Sequence, residues 1–205
     1  MFTLFVVIAL AGLAITGYAP KDRATWCLEV APVIIALVLL AWTRKRFPLT
    51  PLAYALITIH SIILMIGGHY TYAEVPFGFW MERALHFTRN HYDRIGHFAQ
   101  GFVPALIARE VLLRNTPLKP GAMLSFLVVC VCLAISAFYE FIEWWTALIA
   151  GSGATAFLGT QGDVWDTQWD MFMAMTGAII CVLTLSRIHD RALARLQGLT
   201  LAMAS

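Results

Sequence analysis

A polar stretch in the middle of the chain carries residues that could do acid–base or metal chemistry. It reads RNHYDRIGHFAQGFVPALIARE over residues 89–110. Asp93, His97 and Gln100 follow one another at spacings of four and three, so all three lie on one face of a helix. Pro104, one turn later, removes a backbone donor and frees the carbonyl of Gln100 beside that face. This combination predicts a site.

Two other segments carry acids at helical spacing. Glu140 and Glu143 are three apart within SAFYEFIEWW, and Asp163, Asp166 and Asp170 are spaced three and four within GDVWDTQWDM. At a rise of 1.5 Å per residue, these acids and His97 fall within roughly 15 Å of the same ends of their helices, so we expect them to meet. The predicted acid–base or nucleophilic residues are Asp93, His97, Glu140, Glu143, Asp166 and Asp170.

Half a dozen carboxylates on facing helices repel one another unless shared protons, arginines or a bound cation neutralise them. Histidine and carboxylate ligands suit zinc, manganese, iron or magnesium, and the sequence does not choose among them. The predicted ligands of a divalent metal ion are His97, Glu140, Asp163, Asp166 and Asp170, with His69 and His91 as further candidates. The predicted substrate-binding residues are Arg89, Arg94, Gln100 and Gln161. The alternative interpretation is that the acids are solvated helix ends in the headgroup layer.

The composition indicates which elements position these residues. Of the 205 residues, 60% are hydrophobic and 13% are charged, and the mean hydropathy is +0.75. Soluble domains carry roughly 25% charged residues, so the chain is predicted to be a polytopic, all-α membrane helix bundle forming one domain over residues 1–205. We expect membrane lipids as partners, and no nucleic acid.

Six apolar segments approach or reach the roughly 20 residues that cross a bilayer. They cover residues 2–19, 26–42, 51–67, 95–113, 122–149 and 164–185, and residues 187–205 follow as a short helical tail. Residues 75–87, between spans three and four, predict an amphipathic helix in the interface. The glycine-rich connection between spans five and six is either a flexible linker or, through Gly151 and Gly153, a backbone nest over the acids.

Lysine and arginine set the orientation. The predicted turns after spans two and four and the tail hold nine of the fourteen basic residues: Arg44, Lys45, Arg46, Arg109, Arg114, Lys119, Arg187, Arg191 and Arg195. By the positive-inside rule, both termini are therefore predicted to be cytoplasmic and the acidic cluster to face the opposite side.

The long blocks RFPLTPL, GGHYTYAEVPFGFW, SAFYEFIEWW and GTQGDVWDTQWDM, with the stretch described first, resemble the YjdF-like family of bacterial inner-membrane proteins, whose function is unknown. More distantly, Asp93, Arg94, His97 and Phe98 are similar to an acidic-basic and His-Phe signature of the VanZ-like membrane proteins. Glu140, Asp170, Gly177 and Ala178 match further positions of that group, whereas Glu143 and Ala174 stand where it usually has Gln and Asn. The resemblance implies an inner-membrane protein with an envelope-facing role and names no substrate.

The sequence is consistent with three functions. The first is a metal-dependent membrane hydrolase or transferase, in which a metal-activated water attacks a phosphate or acyl group of an envelope lipid or lipid-linked carrier. Arg89 and Arg94 would hold its anionic headgroup. The second is a proton- or cation-coupled transporter. The third is a structural scaffold whose polar network only locks helix packing.

Overall fold

The computed structural model describes residues 1–151, 155–158 and 160–204, and the regular secondary structure in this part of the chain is all helical, as predicted. Eight helices occur in it: α1 (Phe2–Thr16), α2 (Arg23–Thr43), α3 (Pro51–Tyr70), α4 (Pro76–Leu85), α5 (Tyr92–Asn115), α6 (Ala122–Ala150), α7 (Thr155–Leu158) and α8 (Asp166–Ala204). Gly153, half of the predicted backbone nest, lies outside the described residues.

Four helices are long and apolar enough to cross a membrane by length and composition. They are α2, α3, α6 and the Asp166–Leu196 part of α8. The apolar helix α1 ends at Thr16, before the predicted residue 19, and has 15 residues. Charged residues near both ends of α5 lower its hydropathy. The fold is that of a membrane helix bundle, and the number of six spans stays a prediction.

The long helices alternate in direction, so their ends form two layers. At one end, the rings of Phe2 and Tyr54 pack 6.1 Å apart between α1 and α3. At the other end, Trp26 Nε1 donates to Thr16 Oγ1 over 3.2 Å between α2 and α1. We call the end with Asp93 and Asp166 the acidic end, and the end with Arg109 the basic end.

Helices α5 and α8 pack together at close range through glycines. A Cβ on Gly101 would lie 1.7 Å from the carbonyl oxygen of Ala174, and one on Gly177 would lie 2.1 Å from that of Phe98. Neither contact is sterically permitted, so only glycine fits at these two positions. This approach aligns the polar face of α5 with the acids of α8.

Three helices continue without interruption through a proline or beyond an apolar segment. α8 extends without interruption into the predicted tail. α2 and α5 continue through Pro32 and Pro104, and both prolines line the same internal cavity. A proline inside a helix leaves one carbonyl without its helical donor. Each of the two helices therefore lacks one backbone hydrogen bond beside this cavity.

Candidate functional site at the acidic end

Two arginines and three aspartates form an ion-pair cluster at the acidic end. Arg89 Nη2 lies 3.0 Å from Asp166 Oδ1 and 3.1 Å from Asp163 Oδ2. Arg94 Nη2 contacts the same two oxygens at 2.9 and 3.3 Å, and its Nη1 pairs with Asp170. Arg89 precedes α5 and Arg94 lies in its first turn, while Asp163 precedes α8 and Asp166 and Asp170 lie at its start. The cluster therefore fastens the two helices together.

His97 lies one turn deeper than Arg94, between two pairs of carboxylates. Its Nε2 is 3.4 Å from Asp93 Oδ1 and 3.8 Å from Asp170 Oδ1. Ligand atoms of Asp93, His97 and Asp170 lie within 4.8 Å of one another, and so do those of His97, Glu140 and Glu143. His97 is only 6% exposed, and its Nδ1 has no hydrogen-bond partner among the described residues.

The two carboxylate pairs differ in what neutralises them. Arg94 pairs with Asp170, and its Nη1 is 3.6 Å from Asp93. Glu140, in contrast, is 7% exposed, and neither of its oxygens has a hydrogen-bond partner in the part of the chain that the structure describes. An ionised carboxylate left in that state is costly, so Glu140 needs a proton or a cation.

A cavity of about 160 Å³ opens beside these groups. Asp93, His97 and Glu143 line it from α5 and α6, and Glu29 enters from α2. Tyr139 also lines it and donates its hydroxyl to Glu29 Oε2 over 3.3 Å. Seven carboxyl groups thus surround two guanidiniums at this end: those of Glu29, Asp93, Glu140, Glu143, Asp163, Asp166 and Asp170. Such an excess of negative charge binds protons or cations.

An apolar groove of about 620 Å³ lies on the other side of Arg94. It runs between α4, α5 and α8, and we call it the α4–α5–α8 groove. Its apolar walls are formed by Met81, Leu85, Phe87, Ile95, Phe98, Trp169 and Met173. Arg89, Arg94, His91 and Asp163 line it as well. Arg94 therefore stands between an apolar groove and an acidic cavity.

The remaining predicted site residues have different surroundings. Gln100 lines the acidic cavity, whereas Gln161 donates its amide to the carbonyl of Asn90 over 2.8 Å. The Nδ1 of His69 bonds the carbonyl of Thr16 over 2.7 Å at the end of α1, and His69 belongs to neither group of potential metal ligands. His91 lines the groove, where burial, Arg89 and Arg94 lower its pKa below the ordinary value.

Comparison with known proteins places this chain in a family. Residues 1–191 match the family described as "Predicted membrane protein (DUF2238)". The chain belongs to this family. It is also 57% identical over 183 residues to the inner membrane protein YjdF of Escherichia coli (strain K12), covering 89% of this chain and 88% of that protein. No solved structure matches it.

These findings confirm the predicted membership of the YjdF-like family, and they identify an integral membrane protein. Neither match concerns the VanZ-like proteins, so that more distant likeness stays a prediction. The family description assigns no role to the site residues of this DUF2238 protein, so the geometry of these residues is the basis for inferring their roles.

Sequence reasoning missed four titratable residues that line the cavity: Glu29, His60, Tyr72 and Tyr139. The signal for Glu29 was present, because it is an isolated acid inside the apolar run WCLEVAPV. It is 5% exposed in the structure. His60 lies in an apolar segment without charged neighbours in sequence, and its Nε2 has no hydrogen-bond partner within the described ranges. Only the packing of α3 against α5 brings His60 to the cavity.

A second buried polar network lies at the basic end, around Glu110 and His189. Glu110 and His189 are both fully buried, and His189 Nε2 lies 3.0 Å from Glu110 Oε2. Glu110 also accepts from Arg114 Nη1 over 2.8 Å and from Thr50 Oγ1 over 2.9 Å. Arg109 Nη1 lies 3.0 Å from the other ring nitrogen of His189.

The bonds of His189 determine its tautomer. A guanidinium can only donate, so Nδ1 accepts from Arg109 and Nε2 carries the proton donated to Glu110. Arg109 also donates to Asp190 over 2.6 Å. With His189 neutral, two arginines balance Glu110 and Asp190. This buried network is thus electrically matched, whereas the buried cluster at the acidic end carries more carboxyl groups than guanidiniums.

Proposed function

We propose that this protein is a membrane enzyme in which His97, Glu140 and Glu143 hold a divalent metal ion, and that it hydrolyses or transfers a phosphate or acyl group of a membrane lipid. One observation carries the proposal. The Glu140 carboxylate is buried beside His97 and has no hydrogen-bond partner among the described residues. A cation between Glu140, Glu143 and His97 would remove this unfavourable state, because histidine and carboxylate ligands suit hard or borderline divalent metals.

The proposed ligand set differs from the one expected from sequence, because it omits the three aspartates and adds Glu143. Asp163, Asp166 and Asp170 are paired with Arg89 or Arg94, which already neutralise part of their charge. A metal ion there would have to displace a guanidinium. Glu140 and Glu143 have no arginine partner in the described part of the chain, so a metal ion at these residues competes with no fixed cation.

The residues beside the proposed metal ligands are of the types that hydrolysis requires. A metal ion lowers the pKa of a bound water, which makes hydroxide available near neutral pH. Asp93 lines the same cavity and is the proposed general base. The water oxygen would attack the phosphorus or acyl carbon, the ester bond would break, and the proton would pass through Asp93 to the leaving alcohol.

The metal content of the detergent-purified protein tests this proposal. We expect about one equivalent of a divalent metal per chain by inductively coupled plasma mass spectrometry. His97→Ala and Glu140→Gln should lose it, and Asp190→Asn, at the basic end, should keep it. Glu140→Gln preserves size and shape, so its helical circular dichroism should match that of the parent. A folded parent protein without bound metal would overturn the proposal.

Activity requires a second measurement. With the metal identified, a membrane-lipid extract incubated with the protein should yield a product that depends on Glu140 and Asp93. A metal-loaded protein that turns over no lipid in the extract would limit the conclusion to metal binding.

The proposal includes a topology. The four long apolar helices, together with α1 and α5, would cross the inner membrane six times with both termini in the cytoplasm, and α4 would lie in the periplasmic interface. Support comes from the charge distribution, because lysine and arginine collect at the basic end. The proposed site would then face the periplasmic leaflet.

A second candidate function is proton- or cation-coupled transport, favoured by a separate observation. A further cavity of about 250 Å³ lies deeper between α2, α3 and α5. It shares Pro32, His60, Leu64 and Pro104 with the acidic cavity. The two cavities together follow a line toward the basic end. Proteoliposome flux that Asp170→Asn abolishes, without lipid turnover, would favour this function over hydrolysis.

A further inference from the structure

The α4–α5–α8 groove combines an apolar wall with both signs of charge. Leu85 and Trp169 are more than 45% exposed on its two sides, at 57% and 48%. Arg89, Arg94 and Asp163 all line it. Its volume of about 620 Å³ falls in the roughly 300–1,000 Å³ of ligand sites. An occupant must therefore present a long apolar part and a charged head.

The charges of the groove argue against a purely anionic head. Arg89 and Arg94 are bonded to Asp163 and Asp166, so an anion would compete with carboxylates for the same guanidiniums. The two arginines and the three aspartates of the cluster sum to a net charge of −1 when all are ionised. A head that carries one positive and one negative charge adds no net charge to this cluster.

Asp163 is the acid most able to exchange its partner. Its side chain is 26% exposed, against 6% for Asp166 and 2% for Asp170. It accepts from the guanidiniums only through Oδ2, at 3.1 and 3.3 Å, while Oδ1 accepts from the Trp165 amide over 2.9 Å. An ammonium that donates to Asp163 would free the contacts that both Nη2 atoms make with its Oδ2. A phosphate could then accept from these Nη2 atoms while both arginines stay paired with Asp166.

We propose that the α4–α5–α8 groove binds a zwitterionic glycerophospholipid with a primary amine, a phosphatidylethanolamine. The acyl chain lies along Ile95, Phe98 and Met173, the phosphate accepts from Arg89 and Arg94, and the ammonium donates to Asp163. This inference rests on the proposed function in one respect: the bound lipid is a substrate only if the protein is the proposed enzyme. Binding itself needs no metal.

The test is lipid retention by the full-length protein. The purified protein is exchanged into equal amounts of phosphatidylethanolamine, phosphatidylcholine and phosphatidylglycerol with matched acyl chains, and bound lipids are counted by native mass spectrometry. Phosphatidylcholine has the same charges but no N–H donors on its nitrogen. We expect about tenfold more phosphatidylethanolamine than either other lipid, the effect of one or two charge-assisted hydrogen bonds.

Variants of groove residues test whether the groove causes the preference for phosphatidylethanolamine. Asp163→Asn should reduce the ratio of phosphatidylethanolamine to phosphatidylcholine to about one, while Asp190→Asn, the same change at the basic end, should leave it. Met173→Trp should lower retention of all three lipids by filling the groove. Equal retention of the amine and its methylated analogue by the unmodified protein would overturn the proposal, as would a preference for phosphatidylglycerol or an unchanged preference in Asp163→Asn.

Failure of this inference is distinguishable from failure of the proposed function, because metal content is measured on the same preparations. Bound metal without a preference for the amine lipid would reject the groove and leave the metal site. A preference for phosphatidylethanolamine without bound metal would reject the metal site and leave the lipid-binding groove.

Discussion

Glu110 and Glu140 are both buried glutamates, yet their surroundings are opposite. Glu110 accepts hydrogen bonds from Thr50 and Arg114 and lies 3.0 Å from the ring nitrogen of His189. Glu140 has no hydrogen-bond partner within the described parts of the chain. A buried charge that is fully bonded stabilises one arrangement of the helices, whereas an unbonded one indicates a ligand or a proton. Glu110 is therefore bonded as a structural residue, and the proposed function makes Glu140 the residue that takes up a cation.

Replacing Glu110 tests this difference at the residue scale. Glu110→Leu leaves Arg114, His189 and Thr50 without their common acceptor, and removing one partner of a buried pair costs roughly 3–5 kcal/mol. We expect the midpoint of thermal unfolding in detergent to fall by about 10 °C. After the metal has been removed with a chelator, Glu140→Leu, which removes an unbonded carboxylate, should not lower it. Equal destabilisation by the two variants would show that Glu140 is held by bonds like those of Glu110.

At the scale of elements, α5 is the helix on which both polar networks depend. It carries Asp93, Arg94 and His97 near one end and Arg109 and Glu110 near the other. Each network bonds it to α8, through Asp170 at the acidic end and His189 at the basic end. Between them, Gly101 and Gly177 let the two helices touch. The register of α5 against α8 therefore positions both networks together.

Gly101→Val should break this register. Its Cβ would meet the backbone oxygen of Ala174, which no side-chain rotation can relieve. We expect loss of the folded, monodisperse protein on size-exclusion chromatography. The control is Gly198→Ala in the same helix as Ala174, where a Cβ meets nothing within 4 Å and the helix gains up to about 1 kcal/mol. A monodisperse Gly101→Val protein would mean that α5 and α8 can separate at low cost.

The start of α2 gives a pH-dependent prediction. Asp22 caps this helix by accepting from the Thr25 amide over 2.6 Å, and this bond lowers the pKa of Asp22 below its ordinary value. Because the pKa of Asp22 is lower in the folded state, its ionised carboxylate stabilises the fold above about pH 4. This contribution is lost as the pH falls through the folded-state pKa. Asp22→Ala should therefore cost about 1 kcal/mol at pH 7.

The measurement is thermal unfolding of the parent and Asp22→Ala proteins between pH 7 and pH 3. The difference in midpoint should shrink toward the lower pH. Asp22→Asn, which can still cap but does not titrate, should show a constant offset from Asp22→Ala. A difference between parent and Asp22→Ala that grows on acidification would contradict the assigned role of Asp22.

At the scale of the whole molecule, the unequal charge of the two ends predicts its orientation. The positive-inside rule places the basic end in the cytoplasm. Alkaline phosphatase fused after Thr88, between α4 and α5, should therefore be active, and the same enzyme fused after Lys119, between α5 and α6, should be inactive. Green fluorescent protein at the C-terminus should fluoresce. The reverse pattern would place the proposed site in the cytoplasm and exclude a periplasmic substrate.

The sequence by itself determined the helices, their polar faces and the end at which the acids collect. Helical spacing is a local property, so Asp93 and His97, or Asp166 and Asp170, share a face whatever the rest of the chain does. Apolar length likewise indicates which segments can cross a bilayer. These features were enough to predict an all-helical membrane protein with Asp93, His97 and Glu143 around one site.

Only the tertiary structure decided which groups pair. Glu110 and His189 are 79 residues apart, and Arg94 and Asp170 are 76 apart. Helical spacing does not fix which two faces meet. That depends on the close approach of α5 and α8 through glycine, which the periodicity of either helix alone does not reveal. The same packing pairs Arg89 and Arg94 with the aspartates at the start of α8. It also leaves Glu140, beside His97, without a hydrogen-bond partner in the described part of the chain and forms the apolar groove along α4.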